Sequence, residues 1–266
     1  MMEKKSISKN ISLRSILNLW FGLLPFSFIR VFFLRLAGNK ISFSAKIGWG
    51  VYLADEIILH QNARIKTFNF FRVNKIELSK NSFIKGLNYF KGPFDIELGE
   101  ESGIGRQNKF RRSYYPFIYD KSLIKLGYHT FITSNNFFDL TKSIKFGDNS
   151  QLGGTDSQFW THGYFHESNG KGRIRIDGEI QIGDNVYIGS RCVFNPGITV
   201  MNSINIGSNS VVSKDLKEEG MYVSQPLRFR NVHIDDIKSK YSEIDFSDLK
   251  EIVYEKDSYK SKFKNK

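Results

Sequence analysis

Apolar residues recur along this chain at intervals of six. From residue 182 to 212, Ile182, Ile188, Phe194, Val200, Ile206 and Val212 fall one hexad apart without a slip. Four residues after each comes Val186, Cys192, Ile198, Ile204, Ser210 or Leu216, small or aliphatic every time. An α-helix has a period of 3.6 and a lone strand a period of 2, so neither yields a strict six. A chain wound in flat-sided coils does, because each short face sends one side chain inward at the same height. The pattern predicts an all-β solenoid, a parallel β-helix of hexapeptide repeats whose neighbouring coils complete one another's core.

A second clean run comprises Ile41, Ile47, Leu53, Leu59, Ile65 and Phe71. Between the runs and on into the first of them one phrase returns: aliphatic-x-aliphatic, Gly or Ser, two turn residues, a small residue, x, aliphatic. It starts at Ile76, Ile96, Ile124, Ile144, Ile180 and Ile204. Each copy reads as strand, tight corner, strand, with Gly or Asn able to take the positive φ a corner needs. Successive starts lie 20, 28, 20, 36 and 24 residues apart. Three hexads make a coil of 18, so the excess marks insertions. One covers Arg106 to Asp120 and is rich in Arg and Tyr; Tyr114, Tyr115 and Tyr119 are candidates to stack on a sugar ring. The largest, between Leu152 and Ile180, holds Thr155 to Glu167 with His162 and His166. Loops that interrupt a regular scaffold are where function concentrates.

The most apolar segment is residues 11–36, yet Arg14 and Arg30 leave only fifteen uncharged residues between them. A membrane-spanning helix needs roughly 20. No small-residue cleavage site follows, so a signal peptide fits poorly. Two short helices broken at Pro25 fit better, either lying on an anionic membrane surface or packing on the first coil or a partner. The formal charge is +12, and residues 1–40 carry seven Lys or Arg against one acid, Glu3. With the basic excess beside an apolar segment and no recognition motif, nucleic acid is not the expected partner. The single cysteine, Cys192, excludes an internal disulfide framework; it reads as a core filler in a reducing compartment. Ile234, Ile237, Tyr241, Ile244, Leu249 and Ile252 have near-helical spacing and predict a helical cap. The expected divisions are 1–40, a basic apolar helical segment; 41–232, the β-helix; and 233–266, a C-terminal helix with a frayed Lys-rich end.

From about residue 41 to 230, and most clearly from Ile180 to Arg230, the sequence resembles the hexapeptide-repeat acyltransferases. Ile182-Gly-Asp-Asn-Val-Tyr-Ile-Gly-Ser-Arg191, Asn195-Pro-Gly-Ile-Thr-Val200 and Ile206-Gly-Ser-Asn-Ser-Val-Val-Ser-Lys-Asp215 look like that family's penultimate and closing coils. Ser224-Gln-Pro-Leu-Arg-Phe-Arg230 stands where members usually show Gly-Asn-Pro-Ala and basic residues, a departure at Ser224-Gln225. Within the family the chain looks most like the O-acetyltransferases of sugars and surface polysaccharides.

The resemblance implies left-handed winding, a homotrimer, and acetyl-CoA bound in the groove between subunits. It implies transfer to a sugar or glycan hydroxyl, with a histidine general base, no covalent acyl-enzyme and no metal. Thr161-His162 matches the family's Thr-His or Asn-His step, which makes His162 the candidate base and His166 its rival. Asp156 or Glu167 is a candidate to orient the imidazole, and Asp139 a weaker one. On the cofactor side Ser190 and Ser208, one coil of 18 residues apart, should stack on one edge. Ser213-Lys214 matches a Thr-Lys step near the cofactor, and Arg230 a basic residue near its phosphates. The expected location is cytoplasmic, peripheral on the inner face of the membrane. Two alternatives stay open: a γ-carbonic-anhydrase-like zinc site using His129, His162 and His166, and a non-catalytic membrane-associated scaffold.

Overall fold

In the computed structural model, which describes residues 12–168, 172–224, 234–245 and 252–256, the chain winds into a three-faced parallel solenoid. The first face begins at Lys40–Ile41 and continues through Asp95–Leu98, Leu123–Leu126, Ile144–Phe146, Ile180–Ile182 and Thr199–Val200. The second runs from Lys46–Ile47 to Gly220–Tyr222. The third comprises Tyr89–Lys91, Lys109–Arg111, Phe137–Asp139, Gln158–Phe159, Val193–Phe194 and Val211–Val212. Two long strands, Gly50–Leu59 and Asn69–Leu78, bend to serve both the third face and the first. In the last coils the pairings Gln181 with Thr199, Tyr187 with Asn205 and Val193 with Val211 advance by one undisturbed coil on each face.

The hexad residues fill the core except Leu53, which is only half-buried because Tyr52 and Ala54 take the inward positions of its strand. On the third face the inward positions are aromatic in seven successive coils: Tyr52, Phe71, Phe90, Phe110, Phe138, Phe159 and Phe194. Their rings lie nearly parallel, with centroids 5.3, 4.8, 4.5, 4.5, 4.9 and 4.4 Å apart. Beside them runs a buried asparagine ladder. The backbone N–H groups of Asn88, Asn108 and Asn136 each donate at 2.9 Å to the side-chain oxygen of the asparagine one coil earlier, beginning with Asn69. The ladder ends at Ser157, whose hydroxyl accepts from the N–H of Cys192 at 3.0 Å. Cys192 is buried, unpaired and part of the core.

The corners show why the repeated phrase has its composition. Asn62, Asn81, Asn149, Asn185 and Asn209 hold φ between 53° and 60°. The glycines of the phrase do not take the positive φ expected of them; they allow coils to approach. A Cβ on Gly127 would sit 2.6 Å from the carbonyl carbon of Gly147.

Helices Leu13–Gly22 and Ser27–Leu36 flank Pro25, as the proline predicts, and they close the open first coil. Ser12 caps the first helix by accepting from Ser15 N–H at 3.1 Å, and the Ser15 hydroxyl donates to Asp55 at 2.6 Å. The buried Arg30 donates to the carbonyl of Ile47 through Nε and Nη2 at 2.9 and 2.7 Å. No helix among the described residues is long and apolar enough to cross a membrane. Among the described residues near the C-terminus the helical expectation holds for Ile234–Lys238 alone, and Leu249 lies outside them. Ser242–Glu243 and Val253–Glu255 are strands instead, because Val253 and Tyr254 are buried by pairing laterally with strand Arg173–Asp177.

Candidate active site

The insertion before the closing coils resolves into a hairpin. Thr155 to Phe159 still belong to a regular coil; His162–His166 and Arg173–Asp177 then leave it as an antiparallel pair. His162 stands at the root, opposite Asp177. Its Nδ1 lies 2.7 Å from Oδ2 of Asp139, one coil earlier on the third face. That carboxylate is held from several sides. Its Oδ2 accepts from the N–H and hydroxyl of Thr161 at 3.0 and 2.8 Å, and its Oδ1 from the Thr141 hydroxyl at 3.0 Å.

These contacts set the protonation states. Burial opposes charge on Asp139, but the bonds from His162, Thr161 and Thr141 outweigh it and hold the carboxyl below its ordinary range. An ionised carboxylate only accepts, so Nδ1 carries the hydrogen and a neutral imidazole keeps its lone pair on Nε2. Burial likewise opposes the imidazolium, yet the bond and charge of Asp139, with Asp177, raise the His162 pKa above its ordinary value. Nε2 has no hydrogen-bond partner among the described residues, and the side chain is 27% exposed. The group is a base with a fixed tautomer and one accessible lone pair.

A buried charged network braces it. Lys142 donates its backbone N–H to the Thr161 hydroxyl oxygen at 3.0 Å. Its ammonium meets Asp120 at 2.5 Å and Glu255 at 2.7 Å, and lies 4.6 Å from the ring centroid of Tyr119. Arg112 reaches Asp120 at 2.9 Å and the carbonyl of Thr141 at 3.1 Å. Arg175 forks onto Asp177 at 2.8 and 3.0 Å. Through Lys142 the C-terminal strand and the insertion that ends at Asp120 are both tied to the backbone holding His162.

Several sequence candidates fall elsewhere. Asp156 does not orient the imidazole: it sits at an exposed corner with φ 63°, where it accepts from Asn135 and from the Thr155 hydroxyl. Asp139 takes that place because coil register, not proximity in sequence, decides what reaches His162. Glu167 lies beyond His166, near the hairpin's far end, away from the pair. His166 is exposed opposite Arg173, about 13 Å of strand from His162. His129 meets Phe131 edge-on at 5.0 Å, so the three imidazoles do not converge. Among the described residues no three metal-ligating side chains gather. Tyr119 is buried under Lys142 and offers no face to a sugar, whereas Tyr115 is exposed.

Ser190 and Ser208 do stack: the Ser208 hydroxyl oxygen accepts the Ser190 N–H at 3.2 Å. Ser213 and Lys214 are exposed just after the third-face strand Val211–Val212. Arg230 lies outside the described residues.

Fold and site define a hexapeptide-repeat β-helix protein with a carboxylate-anchored histidine at the root of a hairpin. No protein-family model matches the chain. Over 60 residues it is 40% identical to the galactoside O-acetyltransferase of Escherichia coli K12, covering 21% of this chain and only 30% of that protein. The maltose O-acetyltransferase from Clostridium difficile 630 superposes with a TM-score of 0.40 at 27% identity, over 49% of this chain and 65% of the other. The polySia-specific acetyltransferase NeuO gives a TM-score of 0.48 at 16% identity, over 71% and 80%. The chain is thus similar in part to hexapeptide-repeat acetyltransferases, and it spans less than two thirds of the length of the galactoside and maltose O-acetyltransferases it matches.

Proposed function

We propose that the chain transfers an acetyl group from acetyl-CoA to a hydroxyl of a sugar or surface-polysaccharide precursor, with His162 as general base. The observation that carries this is the 2.7 Å contact between Asp139 and His162, which leaves Nε2 as the accessible lone pair. A sugar hydroxyl is a poor nucleophile at neutral pH, so a positioned imidazole must take its proton as it attacks. The acceptor proton passes to Nε2 while its oxygen bonds to the thioester carbonyl carbon. The C–S bond then breaks, and the imidazolium protonates the departing thiolate. The chain itself never carries the acyl group. Asp139 acts through His162 as a positioning residue.

Ser190, Ser208, Ser213, Lys214 and Arg230 are assigned to the acetyl-CoA side, the two cations serving its phosphates. Within one chain the Ser190–Ser208 column and His162 stand at opposite ends of the third face. A homotrimer that sets one subunit's serine column beside its neighbour's imidazole joins the two halves. Acetyl-CoA at about 1 mM, the upper end of common KM values, should raise the melting temperature, because a ligand bound only to the native state stabilises it. Incubation with a panel of sugars and lipid-linked glycans, read by mass spectrometry, then identifies the acetylated product. No thermal shift and no product would defeat the reading.

The N-terminal helices carry a second element of the proposal. Their inner faces pack on the first coil, while Leu13, Trp20, Phe26, Phe28, Phe32 and Leu36 are exposed. Soluble surfaces seldom show such a patch, and here basic residues accompany it, which suits the inner, anionic face of a membrane. Trp20→Ser with Phe28→Ser should abolish co-flotation with vesicles containing anionic lipid. Undiminished flotation would leave these helices a packing role alone.

A further inference from the structure

The outer surface of the third face has an unusual charge pattern. Residues beside the inward phenylalanines point outward and pair in register from coil to coil. Arg72 pairs with Lys91, Lys91 with Arg111, and Arg111 with Asp139, the carboxylate that holds His162. In the adjacent column Phe70, Tyr89, Lys109 and Phe137 pair in the same order. Rungs are about 4.8 Å apart, so three cations rise in a line to the foot of the candidate site.

These cations lack counter-charges. Lys91, Lys109 and Arg111 make no ion pair among the described residues, and Arg72 only faces the ring of Tyr114 at 5.0 Å. Neither column contains an acid before Asp139. The first face of the same coil differs: Lys75 meets Glu77 and Glu97, and Lys145 meets Glu179 at 3.1 Å. On that face Lys75 and Lys145 each have a carboxylate partner, whereas the third-face column has none among the described residues along three successive rungs. Stacked like charges on neighbouring strands repel, so an uncompensated column calls for an anion from outside. Ring faces accompany it: Phe70 stacks on Tyr89 at 5.0 Å, and Phe137 meets Trp160 at 4.9 Å, next to Thr161-His162.

We propose that this face is the track for an acidic glycan acceptor, a chain of sugars bearing carboxylate or phosphate groups. The acid groups engage Arg72, Lys91 and Arg111, and the rings rest on Tyr89, Phe137 and Trp160, which brings a hydroxyl of the leading sugar to Nε2 of His162. The proposal rests on the transfer reading of His162, but its test does not depend on turnover. Binding of fluorescently labelled oligosaccharides to the full chain is measured by anisotropy. The probes are an oligogalacturonate, a phosphodiester-linked oligosaccharide and an uncharged oligosaccharide of equal length, with a single-stranded oligonucleotide as a further polyanion.

Expected is binding of at least one acidic glycan that weakens with added salt, the stronger arm identifying carboxylate or phosphate. Lys91→Gln with Arg111→Gln should reduce it at least tenfold, while the charge-preserving Lys91→Arg with Arg111→Lys restores most of it. The glutamine pair should melt no lower than the parent, since it relieves the repulsion, and both pairs should keep the acetyl-CoA shift of the parent. Equal binding of the uncharged oligosaccharide, unchanged binding in the glutamine pair, or tighter binding of the oligonucleotide would each overturn the track. His162→Ala should still bind the acidic glycan. Loss of transfer with glycan binding intact bears on the base alone, so failure of the track and failure of the transfer reading are distinguishable.

Discussion

His162→Ala is expected to bind acetyl-CoA as the parent does and to lose transfer by about 10²–10⁴-fold, the usual contribution of a positioned general base. The effect should fall on kcat, because the imidazole acts on the proton in flight. Asp139→Asn tests the second half of the pair. It keeps the shape but removes the charge that fixes the Nδ1 hydrogen and raises the His162 pKa. Only the neutral imidazole accepts a proton, so activity rises with pH through the His162 pKa. That pKa is raised in the parent, so its acidic limb should lie above the ordinary histidine range. In Asp139→Asn the limb should move to lower pH while the plateau falls, a combination that simple loss of structure does not produce. Asp156→Asn serves as the comparison, since Asp156 bonds only to Asn135 and Thr155. A pH profile of kcat/KM for the four proteins reads all of this. Parent-like turnover in His162→Ala, or an unmoved limb in Asp139→Asn, would refute the assignment.

The coil itself was legible because its period is imposed by geometry. Each face must deliver one side chain inward, and Ile182 to Val212 show nothing else. The histidine was legible as the break in that beat. Its carboxylate was less so. Asp156 and Glu167 are near His162 in sequence, but on a solenoid the neighbour that matters lies one coil back. Phe138 pairs with Phe159, so Asp139 falls one residue past the partner of Phe159, close under Thr161-His162. Aligning the phenylalanines of the two coils would have found it. The lateral strand Val253–Glu255 had no such signal. Its apolar residues suit a helix as well as a strand, and only the exposed edge of the hairpin strand Arg173–Asp177 decides between them. The same holds for Lys142, a lysine like many others until Asp120 and Glu255 arrive from distant parts of the chain.

Phe110→Ala should destabilise the protein by about 3–5 kcal/mol, the range for truncating a buried aromatic side chain. Phe110 is fully buried, with its ring 4.5 Å from Phe90 on one side and 4.5 Å from Phe138 on the other, tilted by only 7° and 6°. The void cannot collapse readily. Backbone ladders hold the coils at fixed spacing, and Asn108 next to this strand is locked into the asparagine ladder on both sides. The upper part of the range is therefore expected, whereas Leu13→Ala, at a residue 74% exposed, should stay within about 0.5 kcal/mol. In a solenoid each coil is stabilised mainly by its neighbours, so damage at Phe110 weakens the coupling between the coils below and above it. Denaturation in urea should then broaden, with a smaller m value as well as a lower midpoint. Catalysis should suffer too, although Phe110 touches no part of the site. Phe138 rests on its ring, and Asp139 is the next residue, so a shift of the stack moves the carboxylate away from its 2.7 Å contact with His162. A loss below about 1 kcal/mol, the mean for any substitution, would show that the stack is not what fixes coil spacing.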